Sequence, residues 1–147
     1  MAFCRFRKAA FDPVGKLGID CRSNMLSPQT TYATYLVYKL QENHALFELP
    51  IVCQHFYYRF PWNIYLLSPQ APVIAEKVYQ MKRIPQQRND GWMEVQVYEF
   101  QTETGHSIAF RLRFSSDYKP LIGLIVQGIE FRPLHGNELI VTGSLMY

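Results

Sequence analysis

Residues that commonly act in catalysis are present in this chain, but they do not occur at catalytic spacings. No two of the four histidines are separated as in H-x-x-x-H, and no serine lies in a G-x-S-x-G setting. Cys53 and His55 would lie on one face of a strand, but no Asn or Asp can be assigned to orient the histidine. The sparse acidic residues offer no marked pair that could face across a cleft of roughly 5–10 Å for glycoside hydrolysis. The sequence therefore predicts a protein that is not an enzyme.

The cysteine and charge counts argue against several other kinds of site. The three cysteines, Cys4, Cys21 and Cys53, are odd in number and lack a C-x-x-C spacing, so we expect neither a disulfide framework nor a zinc site. No metal and no cofactor are expected. Fifteen lysines and arginines against twelve aspartates and glutamates give a net charge of +3, which is too small to indicate a nucleic-acid partner. No apolar run approaches the ~20 residues that span a bilayer, so a membrane partner is not expected either.

Two predicted strands carry polar outward faces. The first alternates apolar residues with Trp92, Glu94 and Gln96, so that these three side chains share one face. The second alternates apolar residues with Arg111 and Arg113, which form a matched outward pair. These faces are the first places where the sequence could present groups to a ligand.

The composition fits one all-β domain. The chain has 147 residues, of which 48% are hydrophobic and 15% aromatic, and aromatic side chains favour strands. No segment shows sustained helical periodicity, and short strands separated by turn signals are typical of a sandwich or barrel. Two half-buried sheets packed face to face would give each alternating strand an inside and an outside.

Several segments carry more specific predictions. Thr31–Leu40 is dense in β-formers on both faces, which predicts a central strand buried on both sides. Asn89-Asp90-Gly91 predicts a turn. Gly123 and Gly128 interrupt a β-rich run and predict bulges or a close backbone approach. Glu138–Thr142 is one more predicted strand.

Three segments, in this order, resemble one plant family. They are Met25–Ala33 running into Tyr35–Leu40, Arg88–Val95 followed by Glu99-Phe100, and Gly123–Pro133. Together they look like the phloem protein 2 family, whose domain is also called the Nictaba-like lectin domain. The resemblance implies a jelly-roll-like antiparallel β-sandwich that binds N-acetylglucosamine oligomers or N-glycans without metal. It also implies a location in the cytoplasm and nucleus.

The expected domain boundaries follow from this resemblance. Residues 1–15 are expected to form a short, poorly ordered basic lead-in or the stump of a longer segment. Residues 16–134 are expected to form the lectin-like domain, and residues 135–147 a C-terminal extension. Many family members carry an N-terminal F-box that recruits a ubiquitin ligase. Residues 1–15 are too short for one, so none is expected here.

The chain departs from the family at groups associated with sugar binding. The tryptophan that precedes the Gly15-Lys16-Leu17 element in the family falls near Ala10, and another tryptophan aligns with Pro120. Acidic positions of the family fall near Ala109 and Phe114. These differences lead to a second hypothesis, a protein-interaction module derived from an F-box substrate receptor that has lost sugar binding.

The first hypothesis is a non-catalytic domain whose partner is an oligosaccharide or glycoprotein. Sugar recognition needs an aromatic platform and planar polar groups, and the candidates are Trp92, Glu94, Gln96, Tyr57, Tyr58, Trp62, Arg111 and Arg113. Each group has a structural alternative. The outward tryptophan would be covered by a loop, the aromatic stretch at residues 55–63 would be a buried cluster, and the arginines would form the solvated face of a half-buried strand.

Overall fold

Nine β-strands and one short 3-10 helix occur in the part of the chain that this computed structural model describes, residues 2–11, 15–22, 26–41, 45–55, 61–67, 84–104, 109–116 and 120–134. The strands are β1 (Ala2–Phe11), β2 (Leu17–Arg22), β3 (Thr31–Leu40), β4 (Ile51–His55), β5 (Trp62–Ile64), β6 (Gln86–Gln87), β7 (Met93–Gln101), β8 (Ala109–Ser115) and β9 (Leu124–Pro133), and the helix is Ala45–Glu48. No helix within these ranges is long and apolar enough to cross a membrane.

The strands form two antiparallel sheets that share β1. The first sheet has the order β6-β7-β3-β9-β1, and the second has the order β1-β2-β8-β4-β5. The first residues of β1, Ala2–Cys4, pair with β9, and the residues from Arg5 onward pair with β2. The predicted all-β, antiparallel β-sandwich is therefore confirmed.

The start of the chain corrects one expectation. A poorly ordered lead-in was expected for the first residues, but β1 hydrogen-bonds to a strand on each side. The prediction of disorder is wrong because Arg5, Arg7 and Lys8 obscure the β pattern, and because partners distant in sequence supply the pairing. The predicted strand at Glu138–Thr142 lies outside the described residues.

The core lies between the two sheets. Leu112 and Phe114 of β8 are almost fully buried and pack in one cluster with Leu36 and Phe131 of the first sheet. Burying such side chains stabilises a fold by about 1.5–3 kcal/mol each. The alternation predicted for β8 is confirmed for the described side chains, since both of its arginines are exposed.

β3 is the central strand of the first sheet, as predicted. It pairs with β7 on one side and β9 on the other. Leu36 points into the core, whereas Val37 points to the outer face, yet both are fully buried. The outer face of this sheet is therefore not an ordinary solvent-exposed face.

The predicted turn at Asn89-Asp90-Gly91 and one of the two predicted bulges, at Gly128, are present. Gly91 has a φ of +86° in the loop between β6 and β7, a conformation that glycine adopts most readily. The Asp90 carboxylate accepts a hydrogen bond from the backbone N–H of Trp92 at 3.1 Å and closes the turn. The pairing of β9 with β3 shifts register beside Gly128, which confirms a bulge there.

A second bulge, in β7, changes which side chains reach the core. Tyr35 of β3 lies opposite Gln96, but the preceding Thr34 lies opposite Tyr98, so Val97 is an extra residue. Beyond this point the alternation of β7 changes phase. Tyr98 and Phe100 consequently share the inner face with the core residues of β3 and β9.

Candidate functional site

The outer face of the first sheet carries a cluster of charged residues. Residues directly opposite each other in paired strands point to the same face. Glu130 of β9 lies opposite Tyr35, and Glu94 of β7 lies opposite the next outward residue of β3. With Arg132 of β9 and Arg88, which precedes the turn before β7, the two glutamates form what we call the ion-pair cluster.

Every member of the ion-pair cluster is paired. Nη1 of Arg132 lies 2.6 Å from Oε2 of Glu94, and its Nε donates to Oε1 of Glu130 at 2.8 Å. Nη1 of Arg88 donates to Oε2 of Glu130 at 2.7 Å, and its Nε lies 3.2 Å from the Asp90 carboxylate. The glutamate side chains are only 10% and 4% exposed, in chain order. The carboxylates are therefore engaged within the fold.

The pKa shifts agree with this geometry. Burial acts to raise the pKa of Glu130, but hydrogen bonds from Arg88 and Arg132 outweigh it and hold that pKa below its ordinary value. The pKa of Arg132 is raised, first by its hydrogen bond to Glu94. Burial also raises the pKa of the neighbouring Tyr35, whose ring lies 4.1 Å from the Arg132 guanidinium carbon.

The other candidates on this face are half-buried. Nζ of Lys39 lies 4.4 Å from the centre of the Trp92 ring, a cation–π distance. Lys39 therefore occupies one side of the indole that was predicted as a stacking platform. Gln96 lies opposite Tyr35, beside the ion-pair cluster.

Arg111 and Arg113 lie on the outer face of the second sheet, as predicted. Nη2 of Arg111 is 3.7 Å from the carboxylate of Asp20 on β2, and the two side chains are 56% and 37% exposed. Arg113 is also exposed. This geometry agrees with the structural alternative, a solvated strand face.

Trp62 belongs to a different region, a row of aromatic rings between the sheets. The ring of Trp62 stacks on Tyr98 with centroids 5.9 Å apart, and Tyr98 stacks on Phe100 at 6.1 Å. Phe100 in turn stacks on Tyr32 at 5.8 Å. We call Trp62, Tyr98 and Phe100, which are all half-buried, the aromatic row. Tyr57 and Tyr58 lie outside the described residues.

The aromatic row lies at the end of the sandwich where β3 and β5 begin and β4, β7 and β9 end. The loop before β3 is tied to the end of β7, because the Thr102 hydroxyl donates to the carbonyl oxygen of Ser27 at 2.6 Å. The backbone N–H of Ser27 donates to the Tyr32 hydroxyl at 2.9 Å. These hydrogen bonds fix the ring against which Phe100 stacks.

Polar groups border the aromatic row. His55 of β4 is 6% exposed, its ring centre lies 5.4 Å from that of Tyr98, and burial lowers its pKa. Nε1 of Trp62 and the hydroxyl of Thr34 are buried and have no hydrogen-bond partner in the part of the chain that the structure describes. Thr34 lies directly opposite Tyr98 in the first sheet. The row therefore combines apolar ring surface with hydrogen-bonding groups.

Tyr98 and Phe100 were missing from the predicted candidates. The bulge at Val97 places them on the core face beside Trp62, and a strict alternation starting at Met93 does not. A signal was present, because Tyr98-Glu99-Phe100 repeats apolar residues out of phase with Val95-Gln96-Val97.

The described residues contain no group of three or more metal-ligating side chains that could hold an ion. What they define is a two-sheet antiparallel β-sandwich domain with one paired charged face and one aromatic end. The Phloem protein 2 family model matches residues 5–133, and the chain belongs to this family.

Curated relatives support the assignment. The chain is 34% identical over 119 residues to F-box protein At2g02240 of Arabidopsis thaliana, covering 76% of this chain and 36% of that protein. It is 31% identical over 143 residues to F-box protein PP2-B10 of the same plant, covering 86% of this chain and 50% of the relative. The chain thus spans between about a third and a half of the length of these relatives.

The structure also explains the motifs on which the resemblance rests. Tyr35 comes from the first motif, Arg88 and Glu94 from the second, and Glu130 and Arg132 from the third. These five residues meet at the ion-pair cluster. The motifs therefore describe contacts that hold the first sheet together.

Proposed function

We propose that this chain is a non-catalytic carbohydrate-binding domain for N-acetylglucosamine oligomers or N-glycans, and that the aromatic row is its binding surface. Membership of the phloem protein 2 family supports the class of ligand, through the resemblance described above. The observation that carries the choice of surface is the half-buried row of Trp62, Tyr98 and Phe100.

The chemistry of the row fits a sugar. The C–H side of a pyranose ring is apolar and packs on aromatic surface, while its hydroxyls need hydrogen-bonding groups nearby. Trp62, Tyr98 and Phe100 offer apolar ring surface, and Tyr98 also carries a hydroxyl. Their rings are held in place by the core beneath them, so little conformational entropy is lost on binding.

The ion-pair cluster is a poorer site. A sugar hydroxyl that bonded Glu94 or Glu130 would have to displace an arginine from a buried carboxylate. Leaving a buried charge with fewer partners is strongly unfavourable. The charged residues are therefore assigned to the fold and the aromatic residues to recognition.

A glycan array tests the proposal. Wild type is expected to bind chitin oligomers or high-mannose N-glycans, Trp62→Ala to lose that binding, and Trp92→Ala to keep it. Circular dichroism establishes that each variant is folded. Absence of binding by folded wild type, or loss of binding only in Trp92→Ala, contradicts the proposal.

A protein-interaction module is the second candidate, and one feature favours it. Ile122, in the turn before β9, and Ile125, near the start of β9, are 76% and 44% exposed. Exposed aliphatic side chains suit an apolar protein segment better than a sugar. The relatives named above are F-box proteins. Affinity purification with wild type and an Ile122→Ser/Ile125→Ser variant tests this candidate. A protein partner lost in the variant, together with an empty glycan array, would favour it.

A further inference from the structure

The outer face of the second sheet carries exposed arginines. Arg22 is the last residue of β2, and Arg111 and Arg113 lie on the neighbouring β8. All three side chains are exposed, and we call them the arginine face. Asp20, which lies opposite Arg111, is the one acidic residue that the described parts of β2, β8 and β4 place on this face. Three positive charges therefore stand against one negative charge.

The two sheets balance the charges of their outer faces differently. On the first sheet, Arg132 is held by two buried carboxylates within the ion-pair cluster. On the second sheet, the Asp20 carboxylate lies 3.7 Å from Arg111, and both side chains remain open to solvent. The exposed Arg113 forms no ion pair with any residue that the structure describes. A basic face that the fold does not neutralise is complementary to an acidic partner.

The geometry of β8 fixes how such a partner would lie. Residues two apart on a strand point to the same face and are separated by about 6.4–6.8 Å. Carboxylates on alternate residues of an extended peptide have the same repeat, and a guanidinium group binds a carboxylate through two parallel hydrogen bonds. Gly18 lies opposite Arg113 on the β2 side. Since glycine has no side chain, nothing at this position stands between Arg113 and a partner.

From this arrangement we infer that the arginine face docks an extended acidic protein segment, whose alternate carboxylates pair with Arg111 and Arg113. Arg22 supplies a further positive charge beside them. This interaction goes beyond the proposed function and uses a different surface. The arginines point away from the space between the sheets, whereas the aromatic row lies between the sheets.

A protein segment fits this face better than a nucleic acid does. Proteins bind single-stranded nucleic acid through aromatic side chains on which the bases stack. The described outward residues of β2, β8 and β4 include no aromatic side chain. A continuous phosphate chain would also have to pass Asp20, whereas a peptide can place an uncharged residue there. The face therefore favours separate carboxylates over a polyphosphate.

Calorimetric titration with synthetic peptides tests the inference. The probe is a peptide that alternates glutamate with threonine, and the control peptide carries glutamine in place of each glutamate. Wild type is expected to bind the glutamate peptide at about 50 mM sodium chloride and to lose that binding at about 500 mM, because salt screens exposed charges. It should not bind the glutamine peptide.

Variants assign the binding to the arginine face. Arg113→Gln is expected to weaken binding of the glutamate peptide about three- to fivefold, and Arg111→Gln/Arg113→Gln by about tenfold or more. Lys39→Gln removes the same charge from the outer face of the first sheet and should bind as wild type does. Arg111→Glu/Arg113→Glu should instead bind a peptide that alternates lysine with threonine. Circular dichroism establishes that each variant is folded.

Three results would overturn the inference. They are no binding of the glutamate peptide by folded wild type, equal weakening by Arg113→Gln and Lys39→Gln, and tighter binding of an oligothymidine strand or of trigalacturonic acid. Triacetylchitotriose keeps this test separate from the proposed function, because Arg111→Gln/Arg113→Gln should bind it as wild type does. Loss of triacetylchitotriose binding in this folded variant would place the arginines in the oligosaccharide site and would also contradict the inference.

Discussion

The ion-pair cluster and the aromatic row both contain residue types that a sugar site uses, but the structure treats them differently. In the cluster, Glu94 and Glu130 are buried and each is held by arginine. In the row, Trp62 and Tyr98 keep part of their surface exposed, and the Trp62 N–H has no hydrogen-bond partner among the described residues. Residue chemistry alone therefore does not choose between the two regions as the proposed site, whereas pairing and exposure do.

The outer face of the second sheet adds a useful reference. Arg111 and Asp20 have the same charges as a pair in the cluster but are mostly solvent-exposed and 3.7 Å apart. Exposed ion pairs contribute little because water and salt screen them, while breaking a buried pair leaves a charge without compensation. The cluster should consequently control stability, and the row should control binding.

Replacing Arg132 should have the largest effect on stability if the ion-pair cluster stabilises the fold. Arg132→Gln leaves Glu94 and Glu130 buried with one arginine fewer, so we expect the free energy of unfolding to fall by about 3–5 kcal/mol. Urea denaturation measures the change. Arg111→Gln is the matched control and should cost about 0–1 kcal/mol. Equal losses in the two variants would contradict the assignment of the cluster to the fold.

The pH dependence of stability separates the two regions further. Glu130 has a depressed pKa, so its contribution is complete above about pH 4.5 and is lost as pH falls below that value through the folded-state pKa. The pKa of His55 is also lowered, but His55 is a base, so its protonated form is the charged one. Below about pH 6.5 the unfolded chain binds a proton at His55 that the folded chain does not yet bind, and stability begins to fall there.

Two variants show which residue causes each fall in stability. Urea denaturation across pH 3–8 measures both falls. The fall at lower pH should be absent from Glu130→Gln and the fall at higher pH should be absent from His55→Asn, each relative to wild type at the same pH. Stability that is flat between pH 7 and pH 5 in wild type would remove His55 from the explanation. If the fall in stability at low pH is unchanged in Glu130→Gln, the ion-pair cluster is not its cause.

The smallest expected effect concerns Trp92. Lys39→Gln removes the cation above the indole, which should cost about 0.5–1 kcal/mol of unfolding free energy, because the lysine is exposed and the indole only half-buried. Arg113→Gln serves as the surface control and should change stability by less than about 0.5 kcal/mol. If Lys39→Gln instead alters oligosaccharide affinity, Trp92 belongs to the binding site and the comparison fails there.

Local patterns predicted part of the fold well. Thr31–Leu40 and the exposed arginines of β8 follow from residue types that lie next to each other in the chain. The turn at Asn89-Asp90-Gly91 does too. β1 could not be predicted in this way, because its pairing with β2 and β9 outweighs a basic composition.

The site depended on information that a single segment does not contain. The bulge at Val97 is set by the register of β7 against β3, and it decides that Tyr98 and Phe100 face Trp62. Glu94 and Arg132 are 38 residues apart, so their pairing emerges only when the first sheet forms. The sequence could name Trp62 and Glu94 as candidates but could not tell which was engaged.

Calorimetric titration with triacetylchitotriose at pH 7 tests the division of roles most directly. Phe100→Leu keeps an apolar side chain but removes one ring of the aromatic row, and Arg88→Gln removes one arginine of the ion-pair cluster. We predict that Phe100→Leu weakens binding by more than about tenfold, as expected for an aromatic anchor, while folded Arg88→Gln binds as wild type does. Unchanged binding by Phe100→Leu together with lost binding by folded Arg88→Gln would contradict the account.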